Sequence, residues 1–331
     1  MTTPALDVVG IGNAIVDVIA HADDAFLARQ GLAKGTMTLV DERRAESLYG
    51  EMGPGIESSG GSAGNTMAGL ASLGGRGAYV GKVRDDQLGA VFRHDITAMG
   101  VRFSTPAATS GPSTARCLVL VTPDAQRTMN TYLGACVGLG PEDIDEAEIA
   151  AAHVTYLEGY LFDPPHAKEA FRKAARAAHA AGRKVALTLS DPFCVERHRA
   201  EFRELVQHHV DLLFANEAEI LSLFETDSFA EAARQVRGMC EVAALTRSEK
   251  GSVVVTAHET HEIPAMKPEK LVDTTGAGDL YASGFLYGFT RGRDLAVCGR
   301  LGSLCAAEVI SHFGARPEAP LARLAADAGL A

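Results

Sequence analysis

Apolar and polar positions follow two different rhythms along this chain, and the change falls near residue 140. Residues 6–12 (LDVVGIG) form a β-branched run ending in glycines, the pattern of a buried strand. Residues 13–50 mix short alternating stretches with charged turns, 36–40 among them. The Gly-, Pro- and Ser-rich stretch 52–62 reads as a loop, and it leads into a helical pattern over 63–73 closed by Gly74-Gly75. Residues 118–121 and 128–132 are the arms of a predicted hairpin around Pro123-Asp124.

Past residue 140, strand and helix patterns alternate. A strand at 154–157 precedes an Ala-rich helix at 166–181 that stops at Gly182. A strand at 185–189 precedes a helix near 199–208, and one at 210–214 precedes a helix near 217–224. Strands at 242–246 and 253–255 follow, then a long apolar helix after Gly276 and another over roughly 294–311. Such alternation predicts an α/β fold with a mostly parallel sheet covered on both faces. The short strands near 13–45 and 101–132 do not fit that order. They predict a small β appendage formed by two insertions into one large domain spanning 1–331, not a separate consecutive domain.

Charge narrows the classes of partner. With 31 Lys+Arg against 42 Asp+Glu the formal charge is −11, and no basic cluster marks a nucleic-acid or anionic-membrane surface. Asp7, Asn13 and Asp17 interrupt the apolar start, and no basic segment precedes it, so neither a leader peptide nor a membrane span is expected there. Six scattered cysteines without a CxxC pair predict reduced thiols in a cytoplasmic protein. The 34 glycines are about a tenth of the chain, above the usual share of roughly 7%.

Several familiar motifs fail on one or two residues. Gly10-Ile-Gly12 would need glycine at position 15, where Ile15 stands, so the dinucleotide fingerprint is absent. Gly81-Lys82 lacks the rest of a phosphate loop, with Arg76 and Val83 in the required places. His258 and His261 miss the spacing of a zinc-protease helix.

One constellation survives. Asp273-Thr-Thr-Gly-Ala-Gly-Asp279 opens onto an apolar helical pattern. Gly276, Ala277 and Gly278 would leave bare amides at the positive end of a helix dipole, a ready anion site. Asp279 either stabilises that helix start or takes a proton from a hydroxyl attacking a phosphate there, and the density of glycine, threonine and aspartate favours the base. A second cluster, Gly60-Gly61-Ser62-Ala63-Gly64-Asn65, also enters a helix and permits a ligand to approach the backbone. Asn13 and Asp17 lie just past the first strand. Asp17 is a turn residue or an acceptor for two hydroxyls of a diol, and the neighbouring glycine cluster favours the second. Asn216 either caps the next helix or, with Glu219, faces Mg²⁺ through water.

In order and over nearly the whole chain, the glycine entry at 60–65, Asn216-x-x-Glu219 and Asp273-Thr-Thr-Gly-Ala-Gly-Asp279 resemble the ribokinase/PfkB carbohydrate kinase family. Gly12-Asn13-x-x-x-Asp17, Gly60-Gly-Ser-x-x-Asn65 and Thr188-Leu-Ser-Asp-Pro-Phe193 with Val210-Asp-Leu-Leu-Phe-Ala-Asn-Glu217 look like its adenosine kinase branch. The resemblance implies a three-layer α/β/α ribokinase-like fold with a small β-sheet lid. It implies ATP-dependent phosphorylation of a nucleoside 5′-hydroxyl, adenosine to AMP, with Asp279 as base. By the same resemblance Asp17 and Asn65 grip ribose hydroxyls, while Tyr160 and Phe193 wall the base pocket. The family's turn beside ATP corresponds to Thr246-Arg-Ser248-Glu-Lys-Gly251, with Ser248 in place of a glycine. The resemblance further implies Mg²⁺, reached from Asn216 and Glu219, and a monovalent cation such as K⁺ near Asp273 and Thr275. Arg127 stands either beside the phosphates or at the surface. The alternatives are a kinase of the same family acting on ribose, fructose or a related sugar, and a non-catalytic nucleotide- or sugar-binding regulator. Lid strands can cover a site within one chain or pair between chains, so monomer and homodimer both remain open.

Overall fold

The computed structural model describes residues 4–124 and 126–330. β1 (Leu6–Ile11) is followed by β2 (Ile15–His21), α1 (Asp24–Gln30), β3 (Met37–Leu39), α2 (Glu42–Glu51) and β4 (Gly55–Gly60). Then come α3 (Ser62–Ser72), β5 (Gly77–Val80), α4 (Gln87–Ala98), β6 (Ala115–Val121) and β7 (Arg127–Tyr132). The regular alternation starts with α5 (Glu146–Ala150), β8 (Ala152–Glu158), α6 (Pro165–Ala180), β9 (Lys184–Thr188), α7 (Pro192–His208) and β10 (Leu212–Asn216). It continues through α8 (Glu217–Phe224), α9 (Phe229–Val236), β11 (Val242–Thr246), β12 (Ser252–Val255) and β13 (Thr260–Ile263). Three helices close the chain: α10 (Ala277–Phe289), α11 (Leu295–Val309) and α12 (Leu321–Asp327).

Eight strands form one sheet in the order β13-β12-β11-β10-β9-β8-β1-β5, parallel except where β12 and β13 join. Its strands read as continuous apolar runs because helices cover both faces. Val9, Ile11, Leu157 and Leu187 pack with α5 to α9 on one side. Val8, Tyr156, Ala186 and Phe214 pack with α3, α4, α10 and α11 on the other. The result is the expected three-layer α/β/α arrangement. From β1 the chain runs to β5 on one side, whereas β8 through β11 step away on the other. β1 and β8 therefore flank a topological switch point, and a crevice opens beyond their carboxyl ends.

The second sheet has the order β3-β7-β6-β2-β4. β2 alternates strictly. Val16, Val18 and Ala20 are buried, with Leu27 of α1 and Leu48 of α2 in the same cluster, while Ile15, Asp17 and Ile19 turn to the opposite face. Two predicted boundaries need correction. The expected loop at 52–62 contains β4, which pairs antiparallel with β2 from Ile15↔Gly60 to Ala20↔Gly55. Its Gly/Ser content hides it because an edge strand draws its order from the partner's hydrogen bonds and not from its own side chains. The helix expected near 199–208 begins at Pro192, where Asp191 caps it by accepting from the Cys194 amide at 2.6 Å, and it kinks at His198. Among the described residues no helix is long and apolar enough to cross a membrane.

Candidate functional site

A cavity of about 840 Å³ lies at that switch point, between the carboxyl ends of the large sheet and the open face of the small one. Its floor is a knot of polar groups. Asn13, just past β1, donates through Nδ2 to Glu158 Oε1 at 2.7 Å, and Glu158 Oε2 accepts from the Ala63 amide at 2.8 Å. Glu158 ends β8 and is 1% exposed. Burial pushes its carboxyl up to about 7 against the donors from Ala63 and Asn13. Gly61 joins β4 to α3 at φ +84°, where a side chain would also run into the Asn13 carbonyl.

Asp279 sits in the first turn of α10. Gly276 at its N-cap has φ +79°, and a Cβ there would come within 2.7 Å of the Ala315 methyl carbon. Only glycine satisfies both constraints. The Ala277 amide bonds back to the Thr274 carbonyl at 3.2 Å. Of the three amides expected to bind an anion, that of Ala277 is therefore engaged, while helix geometry leaves the Gly278 and Asp279 amides without an intrahelical acceptor. Ser62 Oγ donates to Asp279 Oδ1 at 2.6 Å, and Asn65 Nδ2 donates to Oδ2 at 2.9 Å. Two residues expected on the acceptor thus hold Asp279 itself. Asn65 keeps its Oδ1 buried and unpartnered among the described residues, an acceptor awaiting a donor. Burial raises the Asp279 pKa, and Ser62, Asn65 and the Arg316 charge oppose that rise.

Asp17 enters from β2, its carboxylate filling the space a Gly60 side chain would need. Gly60 itself does not line the cavity. Burial lifts Asp17 to about 6, with Arg316 and Arg127 pulling it down. Beyond Asp17 the walls turn apolar: Ile15, Ile19, Met37, Leu39, Val119 and Met129 come from the small sheet. Tyr160 and Phe193 also line the cavity, 39% and 71% exposed.

At the far end Asn216 caps α8 in a reciprocal box with Glu219: the Asn216 side chain accepts from the Glu219 amide, and Glu219 accepts from the Asn216 amide at 2.9 Å. The capping role is therefore real. Both still line the cavity, and burial pushes Glu219 up to about 7. Each Glu219 oxygen carries one donor from Asn216, so lone pairs remain for a metal-bound water, and the pair fits Mg²⁺ held in that way. Thr246 and Thr275 also line the cavity, whereas Ser248 and Gly251 do not. They lie in the turn after β11, where Gly251 abuts the Ile263 carbonyl.

Asp273 departs from expectation. Its Oδ1 accepts from the Thr275 amide and hydroxyl, at 3.0 and 2.7 Å, and its Oδ2 from Arg127 Nη1 at 2.8 Å and the Gly314 amide at 3.3 Å. With four donors on four acceptor positions, the carboxylate has none left for a monovalent cation. The positive charge beside the turn comes instead from Arg127, which reaches in from β7 and is not a surface residue.

Two residues escaped the sequence reading. Glu158 had a signal, a carboxylate ending a buried apolar strand. Arg316 had none, because its partners Ser59 and Gly64 lie far away in the chain.

The chain is similar to known proteins in sequence and in fold. The description "pfkB family carbohydrate kinase" matches residues 38–322. An adenosine kinase of Sinorhizobium meliloti superposes with a TM-score of 0.90 at 56% identity, covering 98% of this chain and 99% of that one. A probable sugar kinase of Rhizobium etli CFN 42 superposes at 0.92 with 52% identity, covering 99% and 100%. The adenosine kinase of Saccharomyces cerevisiae is 28% identical over 337 residues, 95% of this chain and 96% of its own.

Proposed function

The chain belongs to the pfkB family of carbohydrate kinases, and from that premise we propose that it phosphorylates the 5′-hydroxyl of a nucleoside, adenosine, with ATP as donor. At the coarser level it is a kinase with a hydroxyl acceptor, of the nucleoside and sugar class. The observation that carries the finer reading is the change of chemistry along the cavity. Asn13 and Asp17 supply polar groups that suit ribose hydroxyls, and the same cavity is lined by apolar side chains of the small sheet and by Tyr160 and Phe193. A bare sugar has no use for that apolar lining, whereas a purine gains by burying its faces against it.

The reaction follows from the groups present. A 5′-hydroxyl between Asp279 and the γ-phosphate gives its proton to the Asp279 carboxylate. Its oxygen forms the new bond to phosphorus, and the bond to ADP breaks. Ser62 and Asn65 orient Asp279, and with Arg316 they favour its ionised form against burial. The Gly278 and Asp279 amides and the Arg127 guanidinium face the transferring charge. Mg²⁺, held through water by Glu219 and Asn216, would neutralise phosphate oxygens. Thr246 and Thr275 border the donor side of the cavity.

The test is a coupled ATP-consumption assay across adenosine, other nucleosides, ribose and fructose. Adenosine should show the highest kcat/KM. Preference for ribose or fructose would turn the reading to a sugar kinase, and no turnover with any acceptor would favour a binding regulator.

A further inference from the structure

Three consecutive residues after α11 touch both halves of the site. The Gly314 amide donates to Asp273 Oδ2 at 3.3 Å, at the start of the phosphate-side turn. Ala315 packs into the space left by Gly276, the residue on which that turn pivots. Arg316 then reaches across to the acceptor side. Its Nε and Nη2 donate to the Ser59 carbonyl at 3.1 and 2.6 Å, Nη2 also to Ser59 Oγ at 2.9 Å, and Nη1 to the Gly64 carbonyl at 2.6 Å. Ser59 is gripped from its other side by Asp95 of α4, which accepts from its amide and hydroxyl at 2.7 and 2.6 Å. Ser59 immediately precedes Gly60 and Gly61, the residues that make room for Asp17 and Asn13. Gly64 lies in the first turn of α3, between the two donors that hold Asp279.

We propose that Arg316 is a positioning residue for the phosphoryl transfer, coupling the phosphate-side turn to β4 and α3 so that Asp17 and Asp279 keep one fixed relation. The proposal rests on the kinase reading above, but not on which acceptor is used. A planar guanidinium suits this task because its fork holds two backbone carbonyls at once, which an ammonium cannot do in the same geometry. Its charge matters as well. Asp17 from β2, Asp279 from α10, Glu158 from β8, Glu219 from α8 and Asp191 before α7 all line the cavity, and the cations among them are Arg127, Arg197 and Arg316. Arg197 pairs with Asp163, and Arg127 pairs with Asp273 while still lowering Asp17, whereas Arg316 spends its donors on uncharged oxygens and its charge acts on Asp17, Asp95 and Asp279 together.

Arg316→Gln and Arg316→Lys separate the fork from the charge. With the acceptor the wild type prefers, Arg316→Gln should lower kcat/KM about tenfold, through a fall in kcat together with a rise in acceptor KM, as expected when the reacting groups are misplaced by a fraction of an ångström. It should also move the acid limb of the kcat/KM profile to higher pH, because Asp17 and Asp279 lose a neighbouring cation. Arg316→Lys should raise acceptor KM too, yet leave the acid limb near its wild-type position. An unmoved limb in Arg316→Gln overturns the proposal. So does a parallel rise of ATP and acceptor KM in both variants with a lowered Tm, the signature of packing alone. A wild type that prefers a sugar sinks the nucleoside reading only, and the same two variants are then assayed on that sugar.

Discussion

Asp279 carries a hydrogen bond on each oxygen, from Ser62 at 2.6 Å and Asn65 at 2.9 Å, and this sets how it works. Both donors fix the carboxylate plane and favour its charged form, against the burial that raises its pKa. Asp279→Asn keeps the shape and removes the basicity. It should lower kcat by about 10²-fold or more while leaving ATP binding near wild type, since general-base catalysis contributes on that scale. Steady-state kinetics with isothermal titration of ATP would check it, and near-normal turnover would remove Asp279 as the base. The aspartate itself was legible because it follows two glycines at the start of an apolar helix. Its partners were not: Ser62 is 217 residues away, and nothing local to either residue announces the meeting. Asn65 shows the consequence, since an amide suited to a sugar hydroxyl spends its Nδ2 on Asp279 and keeps only Oδ1 free.

At the scale of elements, the turn into α10 and the start of α7 are the sensitive places. Gly276→Ala would force a side chain into a left-handed backbone and against Ala315. The left-handed conformation alone costs roughly 1–2 kcal/mol, and the steric contact adds to it. The expected outcome is a lower Tm together with a fall in kcat, because the Gly278 and Asp279 amides lose their aim. Retained kcat in a destabilised variant would show that the turn only supports the fold. Local chemistry explains what was readable here. Asp191-Pro192 is a cap followed by a first-turn proline, and weighing those two residues would have placed the start of α7 correctly and put Phe193 in its first turn. β4 offered no such mark. Gly55-Ile-Glu-Ser-Ser-Gly60 has neither apolar alternation nor β-branched density beyond Ile56, and it is a strand because β2 supplies the ladder.

For the whole molecule, folding gathers several carboxylates where few cations follow. Asp17 is pushed to about 6, and Glu158 and Glu219 to about 7, chiefly by burial. Their folded pKa values exceed the unfolded ones, so the native state binds more protons than the unfolded state between the two values. The stability of the free protein should therefore rise as pH is lowered from about 8 to about 6, opposite to the usual carboxylate trend. Carboxyls held low, such as Asp7 and Glu217, act in the other direction only in more acidic solution. Scanning calorimetry across that range, with Glu219→Gln as comparison, provides the check: the wild-type Tm should climb and the variant should climb less. A wild-type Tm that is flat or falling over the same range would contradict this account of the site. Alternating apolar runs and two glycine turns were enough to determine the α/β layering and the places where α3 and α10 begin. Those properties depend on residues within one helical turn or one pleat of each other, which a linear chain displays. Tertiary structure alone decided that Arg127 would pair with Asp273, that α3 would hold Asp279 and that Arg316 would bind Ser59 and Gly64. Each of these joins groups that meet only when the sheets close around them. The low dielectric of that enclosure then sets their charge, which no local pattern records.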